Sequence, residues 1–319
     1  MVHLRIVVPE RHADEAMELL CGTDSVVNVI RLQERARRPD GVVIMCDVAR
    51  EDASVVIADL KRLEIHRDGS IALALLDTAI SERADRAEKH ARGAPADAVV
   101  WEDVESTTDE QVELSGAFLG FIVLAALLTT VGIYQDSAIL IVGGMVVGPE
   151  FGPIAAFCVA LVQRRRKLAL RSAAALATGF PLAILAAFLA TVVFKATGRF
   201  DATFDQSEHA IANIIATPDF FAFFVAACAG AAGMLSLSTA KSGALIGVLI
   251  SVATIPAAAN IGITAAYGDW ANFRGSAAQL ALNLAAILLA GTAVLGVQRM
   301  LYRRRLQRHA RELERSAAT

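Results

Sequence analysis

Ile141-Val-Gly-Gly-Met-Val-Val-Gly-Pro-Glu-Phe-Gly-Pro-Ile154 lies inside an apolar run that extends from 137 to 162. The run is long enough for a bilayer crossing, which takes about 20 apolar residues. It nevertheless carries Gly143, Gly144, Gly148, Pro149, Gly152 and Pro153, where a continuous helix would lose two amide donors and tolerate the glycines poorly. In hydrocarbon, unsatisfied backbone groups are costly, so a break here belongs in a protein interior or beside water. The stretch also holds Glu150, close to the middle of the run and the one ionisable side chain well inside any apolar segment of this chain. A charge at that depth costs at least about 2.5–3.5 kcal/mol. Two readings of Glu150 follow. It is a proton or cation site, or it opens a second half-helix with Pro149, its carboxylate satisfying that helix's first amides and dipole.

Working outward, five more apolar stretches of spanning length fall at 114–134, 172–194, 220–240, 243–266 and 276–298. Six crossings place the connections after the second, fourth and sixth on the side of the N-terminus. Thirteen of the sixteen bases beyond residue 113 lie there: Arg164, Arg165, Arg166, Lys167 and Arg171, then Lys241, then seven arginines from Arg299 to Arg315. The remaining three are Lys195, Arg199 and Arg274. The asymmetry predicts both termini in the cytoplasm. Tyr134, Tyr267, Tyr302 and Trp270 fall at span ends, where amphipathic rings prefer the interface. The Arg-rich C-terminus follows a span directly, so it reads as a topology anchor drawn to anionic lipid rather than a nucleic-acid site. Gly116 and Gly120 form a GxxxG, and Ala226/Gly230 and Ala229/Gly233 repeat the small-residue spacing, which predicts close packing within a protomer or a homo-oligomer.

The fifth run offers a weaker echo of the second. Ser242-Gly-Ala-Leu-Ile-Gly247 parallels Ser137-Ala-Ile-Leu-Ile-Val-Gly143, Pro256 interrupts the later run as Pro153 does the earlier, and Asn260 supplies a polar group one turn on. Chance similarity between two apolar stretches is the competing explanation. Taken as a repeat, three spans per half give an inverted 3+3 arrangement with broken second and fifth helices, the pattern of a midplane transport site.

Residues 1–92 have a different composition. The first 113 residues hold 24 acids against 14 bases, so the net charge of −3 and mean hydropathy of +0.51 average an acidic soluble head with a basic apolar body. Leu4–Val8, Ser25–Leu32, Val42–Val48 and Ile71–Leu76 read as strands. Arg11–Cys21 and Ala53–Leu63 show helical periodicity, the latter with Asp52 placed as its cap. The order β-α-β-β-α-β is the ferredoxin-like arrangement, which serves ligand sensing and oligomerisation equally well. Glu82–Arg92 reads as a solvated mixed-charge helix broken by Gly93-Ala-Pro95, and 93–113 as an acidic linker, its end a spacer or an amphipathic lead into the membrane. The start of the chain lacks the features of a secretory signal, so the head is expected in the cytoplasm. The expected division is a 1–92 head, this linker, a 114–298 membrane domain and a 299–319 basic tail.

Gly143-Gly-Met-Val-Val-Gly-Pro-Glu-Phe-Gly-Pro-Ile154 resembles the Gly-Ala-Met-x-x-(Ser/Ala/Gly)-Pro-x-x-Gly-Pro-Ile signature of the domain of unknown function 389 family of bacterial and archaeal membrane proteins. The basic connection after it and Leu245-Ile-Gly247…Pro256 fit as well, and the resemblance covers about 114–300 with a matching small N-terminal domain. Glu150 departs from the pattern, where an apolar residue often sits. The resemblance implies a multi-pass inner-membrane protein with no assigned biochemical activity.

Two functions compete. A transporter or permeation protein for a small solute or ion would use Glu150, Gly148, Pro149, Gly152, Pro153, Gly143, Gly144, Pro256 and Asn260 where the second and fifth runs meet. A sensor or scaffold would use the spans only as anchor. An enzyme is not expected: the runs hold no second acid for a dyad, no histidine to pair with a serine, and no cofactor or metal-ligand pattern, and Cys21, Cys46, Cys158 and Cys228 lack metal spacing. The expected partners are the lipid bilayer and the unidentified solute or ion, with no nucleic acid.

Overall fold

The computed structural model describes residues 1–76, 81–91, 99–238 and 246–317. They form two units, one built chiefly from Met1–Val104 with Leu306–Thr319, the other from Glu105–Leu237 and Ser242–Arg305. In chain order the first unit contains β1 (Val2–Val8), α1 (Ala13–Cys21), β2 (Val26–Arg37), β3 (Asp40–Val48), α2 (Arg50–Arg62), the single turn α3 (Ile65–Asp68), β4 (Ser70–Leu75) and α4 (Glu82–His90). It also holds the first turn of α5 (Trp101–Gln111).

The strands form one antiparallel sheet in the order β2-β3-β1-β4. Alternation sets its buried face. Val2, Leu4, Ile6 and Val8 of β1 point the same way as Val42, Ile44, Cys46 and Val48 of β3, and all eight are buried. Ala16 and Leu20 of α1 and Val56, Ile57 and Leu60 of α2 close over that face.

Two local expectations need correction. Asp52 does not cap α2. Ala49 holds the cap position and the Asp52 amide donates to the Ala49 carbonyl, so Asp52 lies within the first turn, where its charge favours the helix dipole. Nor is the Glu82–His90 helix solvated all round, because Ala84 and Ala87, three residues apart on one face, are both buried. Ser81 caps it by accepting from the Arg83 and Ala84 amides. Gly93-Ala-Pro95 lies outside the described residues. Trp101, Val104 and Thr108 are buried at helical spacing, which makes α5 amphipathic. His309 also belongs to this unit, its Nε2 3.0 Å from Asp59 Oδ2.

Burial pushes the Cys46 thiol up to about 12, whereas Cys21 is exposed. The thiolate is the nucleophile, so at pH 7.5 Cys46 stays neutral and shielded. A short maleimide pulse on native protein is expected to modify the Cys21 peptide and spare the Cys46 peptide, with denaturant equalising the two by mass spectrometry.

The second unit is helical: α6 (Gly116–Tyr134), α7 (Ala138–Val147), α8 (Phe151–Gln163), α9 (Arg166–Ala196), α10 (Ala210–Ala216), α11 (Phe220–Ser238), α12 (Ile246–Tyr267) and most of α13 (Trp270–Ala317). Four of these, α6, α9, α11 and α13, are long and apolar enough to cross a membrane, and α7 and α8 together make a fifth candidate, bent by 54° at their break. The core is rich in small side chains, with Ala125 and Ala126 of α6, Ala183 of α9, and Ala257 and Ala258 of α12 in one cluster with Phe118, Phe180 and Ile261. Gly230 of α11 lies against the Ile287 backbone of α13, where a β-carbon would come 2.5 Å from the carbonyl oxygen. Gly116 and Gly120 face open space instead.

The expectation of a broken fifth helix is overturned. From Ile246 to Tyr267, α12 is one helix with Pro256 inside it. A lone proline removes one amide donor and leaves the bonds on either side intact, and Pro181 is carried within α9 in the same way. The second run differs because Gly148 and Pro149 are adjacent at its break. Ser242–Leu245, half of the proposed echo, lies outside the described residues.

Candidate functional site

The break occupies Gly148, Pro149 and Glu150. Gly148 ends α7 in an extended conformation and Glu150 takes the cap position of α8. Pro153 causes no interruption of its own, because it falls in the first turn of α8, where amides have no intrahelical acceptor. Glu150 is fully buried and its side chain makes no cap bond to α8. The carboxyl turns instead toward α12, where Thr254 Oγ1 donates to Glu150 Oε1 at 3.0 Å. Of the two readings of Glu150, the helix cap is therefore not the one the side chain adopts.

Gly148 makes room for that arrangement. A β-carbon at this position would come 2.5 Å from Glu150 Oε2 and 3.0 Å from Oε1. The far end of the carboxylate can move, so Gly148→Ala is expected to leave the fold intact while displacing Glu150 from Thr254. The check is a thermal unfolding temperature close to wild type, with little further change when Thr254→Val is added to the same protein.

Gly152 packs against Gln111 at the end of α5, where a β-carbon would meet Gln111 Cβ at 2.8 Å. Beside it an open cleft of about 450 Å³ reaches the backbone of the break, lined by Gly148, Pro149, Phe151 and Gly152 and rimmed by Glu110, Glu113 and Ser115. The end of α5 is further held by Arg165, which donates to Asp109 at 2.8 Å. One of the arginines attributed to topology thus has a local partner as well.

The remaining expected residues divide. Gly144 is buried against α6, with Thr129 Oγ1 and the Ala125 carbonyl on its open side. Gly143 faces open space and takes no part in the break. Asn260 is buried, but its Nδ2 donates to Ser276 Oγ on α13 at 2.8 Å, a partnership separate from Glu150 and Thr254. Pro256 lines a different cavity, between α10, α11, α12 and α13. The second and fifth runs do meet, through Ile141 and Met145 packed with Ala259 and Ile263, and their polar contact is Glu150 with Thr254.

Sequence reading missed Thr254, Ser276, Gln279 and Asn283. A signal was present for the last three: Ser276, Gln279 and Asn283 recur at intervals of three and four, a polar stripe on one face of an otherwise apolar helix. Thr254 carried no such signal, since a lone threonine in an apolar helix commonly bonds its own backbone.

Residues 145–289 match the family model described as Domain of unknown function (DUF389). Over this segment the chain is similar to the DUF389 family. The DUF389 segment begins within α7 and includes Glu150, Thr254 and Asn260, so the break and its partner helix lie within it. An uncharacterized protein of Methanocaldococcus jannaschii is 26% identical over 165 residues, an alignment covering 52% of this chain. The alignment spans 49% of that protein, about half its length. No solved structure matches.

Proposed function

We propose that this protein is a non-enzymatic, cofactor-independent transporter or permeation protein for a small solute or ion. In this reading Glu150 carries a proton or cation across the break in the second of six spans. The observation that carries it is the fully buried Glu150 carboxyl, facing Thr254 on another helix in place of capping its own. A helix that served only as an anchor has no use for such a group, since an ionisable side chain at this depth is expensive to bury. The acidic rim of the adjoining cleft supports cations as the class moved, because Glu110 and Glu113 raise their local concentration.

The 22-residue α12 supplies the sixth span beside the four long helices and the bent pair. The arginine and lysine asymmetry supports both termini in the cytoplasm, and the similarity to an archaeal protein supports a bacterial or archaeal inner membrane. We read the head as a ferredoxin-like regulatory domain, on its element order and the strand order β2-β3-β1-β4. The open Gly116/Gly120 face of α6 favours a homo-oligomer.

The test is reconstitution of the full chain in liposomes, with pH-gradient-driven flux followed for a panel of cations and protonated metabolites. Saturable, protein-dependent flux is expected. Its absence across the panel would leave the sensor or scaffold reading in its place.

A further inference from the structure

The cavity between α10, α11, α12 and α13 is distinct from the break, for neither Glu150 nor Thr254 lines it. Its volume is about 370 Å³, within the range of small-molecule sites. Phe221 and Val225 of α11 and Pro256 and Ala257 of α12 make apolar walls, and α13 presents Gln279. That side chain decides what kind of molecule fits. Gln279 is only 6% exposed, and its Nε2 donates to Asn283 Oδ1 at 3.3 Å. Its Oε1 has no hydrogen-bond partner in the protein. A buried acceptor in this state has lost its water without replacement, and an N–H or O–H donor brought into the cavity would restore the bond. Asp219, just before α11, stands at the lining with Oδ1 accepting from the Ala222 amide at 2.7 Å. Its carboxylate favours a positively charged donor over a neutral one.

We propose that this cavity binds a small primary ammonium compound with an apolar body, the ammonium donating to Gln279 Oε1 under the influence of Asp219 and the hydrocarbon lying against Phe221, Val225, Pro256 and Ala257. Apolar walls with a few placed polar groups are the usual make-up of a ligand site. Here the polar set is Thr217, Gln279, Asn283 and the acid Asp219, with the Thr217 hydroxyl and the Gln279 amide already donating to Asn213 and Asn283. The site stands independently of the transport reading, because its measurement is binding and not flux.

The experiment is calorimetric titration of the full chain in lipid nanodiscs with n-hexylammonium chloride, with empty nanodiscs as the blank for partitioning. Saturable binding at one site per chain is expected for the wild type. Gln279→Leu, which removes a buried polar atom and preserves helix propensity, is expected to weaken binding by about ten-fold, the scale of one charge-assisted hydrogen bond. Asp219→Asn is expected to weaken it less. Methyl pentyl ether, of similar size but without a donor, is expected to show no saturable heat. The proposal is overturned by wild-type heats no larger than those of empty discs, by unchanged affinity in Gln279→Leu or Asp219→Asn, or by the ether binding as tightly as the ammonium.

Discussion

Replacing Glu150 with glutamine is expected to reduce pH-gradient-driven flux in liposomes by roughly two orders of magnitude, the scale on which positioned proton-transfer groups act. The substitution is close to isosteric. The amide oxygen of the new side chain can still accept from Thr254 Oγ1, which stands 3.0 Å from Glu150 Oε1. What it loses is the ability to release a proton or to carry the charge that holds a cation. Stability should therefore change little, within about 1 kcal/mol, the net worth of an ordinary hydrogen bond. Transport and folding are separated by this one variant. Flux equal to wild type from correctly folded Glu150→Gln protein would remove Glu150 from the mechanism. Thr254→Val provides the complementary measurement, since it keeps the acid and removes the hydroxyl that faces it. It is expected to shift the pH dependence of flux without abolishing it.

The second large effect concerns packing. Gly144→Leu is expected to lower the thermal unfolding temperature of the detergent-solubilised protein by several degrees, or to prevent accumulation of folded protein altogether. A β-carbon at Gly144 would come 2.2 Å from Thr129 Oγ1, 2.8 Å from the Ala125 carbonyl oxygen and 3.1 Å from the Thr129 amide nitrogen. Two of these three atoms are backbone of α6 and cannot step aside as a side chain does. The helices must separate, and overpacking of this kind costs about 1–3 kcal/mol or more. Gly143→Leu is the control, because Gly143 faces open space one residue away. Equal stability of the two variants would show that α6 and α7 do not rely on the close approach. The pair also divides two neighbouring glycines that the sequence pattern treats alike.

That division illustrates how much could be read before the fold was known. Gly143, Gly144, Gly148 and Gly152 are equivalent as interruptions of an apolar run, yet each meets something different. Gly143 meets open space, Gly144 a neighbouring helix, Gly148 the Glu150 carboxylate and Gly152 the Gln111 side chain. Helix periodicity relates residues within one element, and no spacing rule says which neighbour a given face will find. Pro256 shows the same limit from the other side. Its position in an apolar run resembled that of Pro153, but α12 continues through it, while the actual break lies at Gly148-Pro149-Glu150.

Alone, the sequence determined the existence of an alternating-strand head and a set of bilayer-length apolar runs, the interruption of the second run, and the singling out of Glu150 among 33 acids. These depend on backbone donors, side-chain volume and hydropathy, which act over a few consecutive residues. Only the tertiary structure decided that Glu150 turns away from its own helix to Thr254, 104 residues onward, and that Gln279 keeps a buried acceptor beside Pro256 and Ala257. Contacts between distant positions arise when several helices bury their faces together, and the direction in which a buried polar side chain finds its partner is a property of that packing rather than of its local sequence.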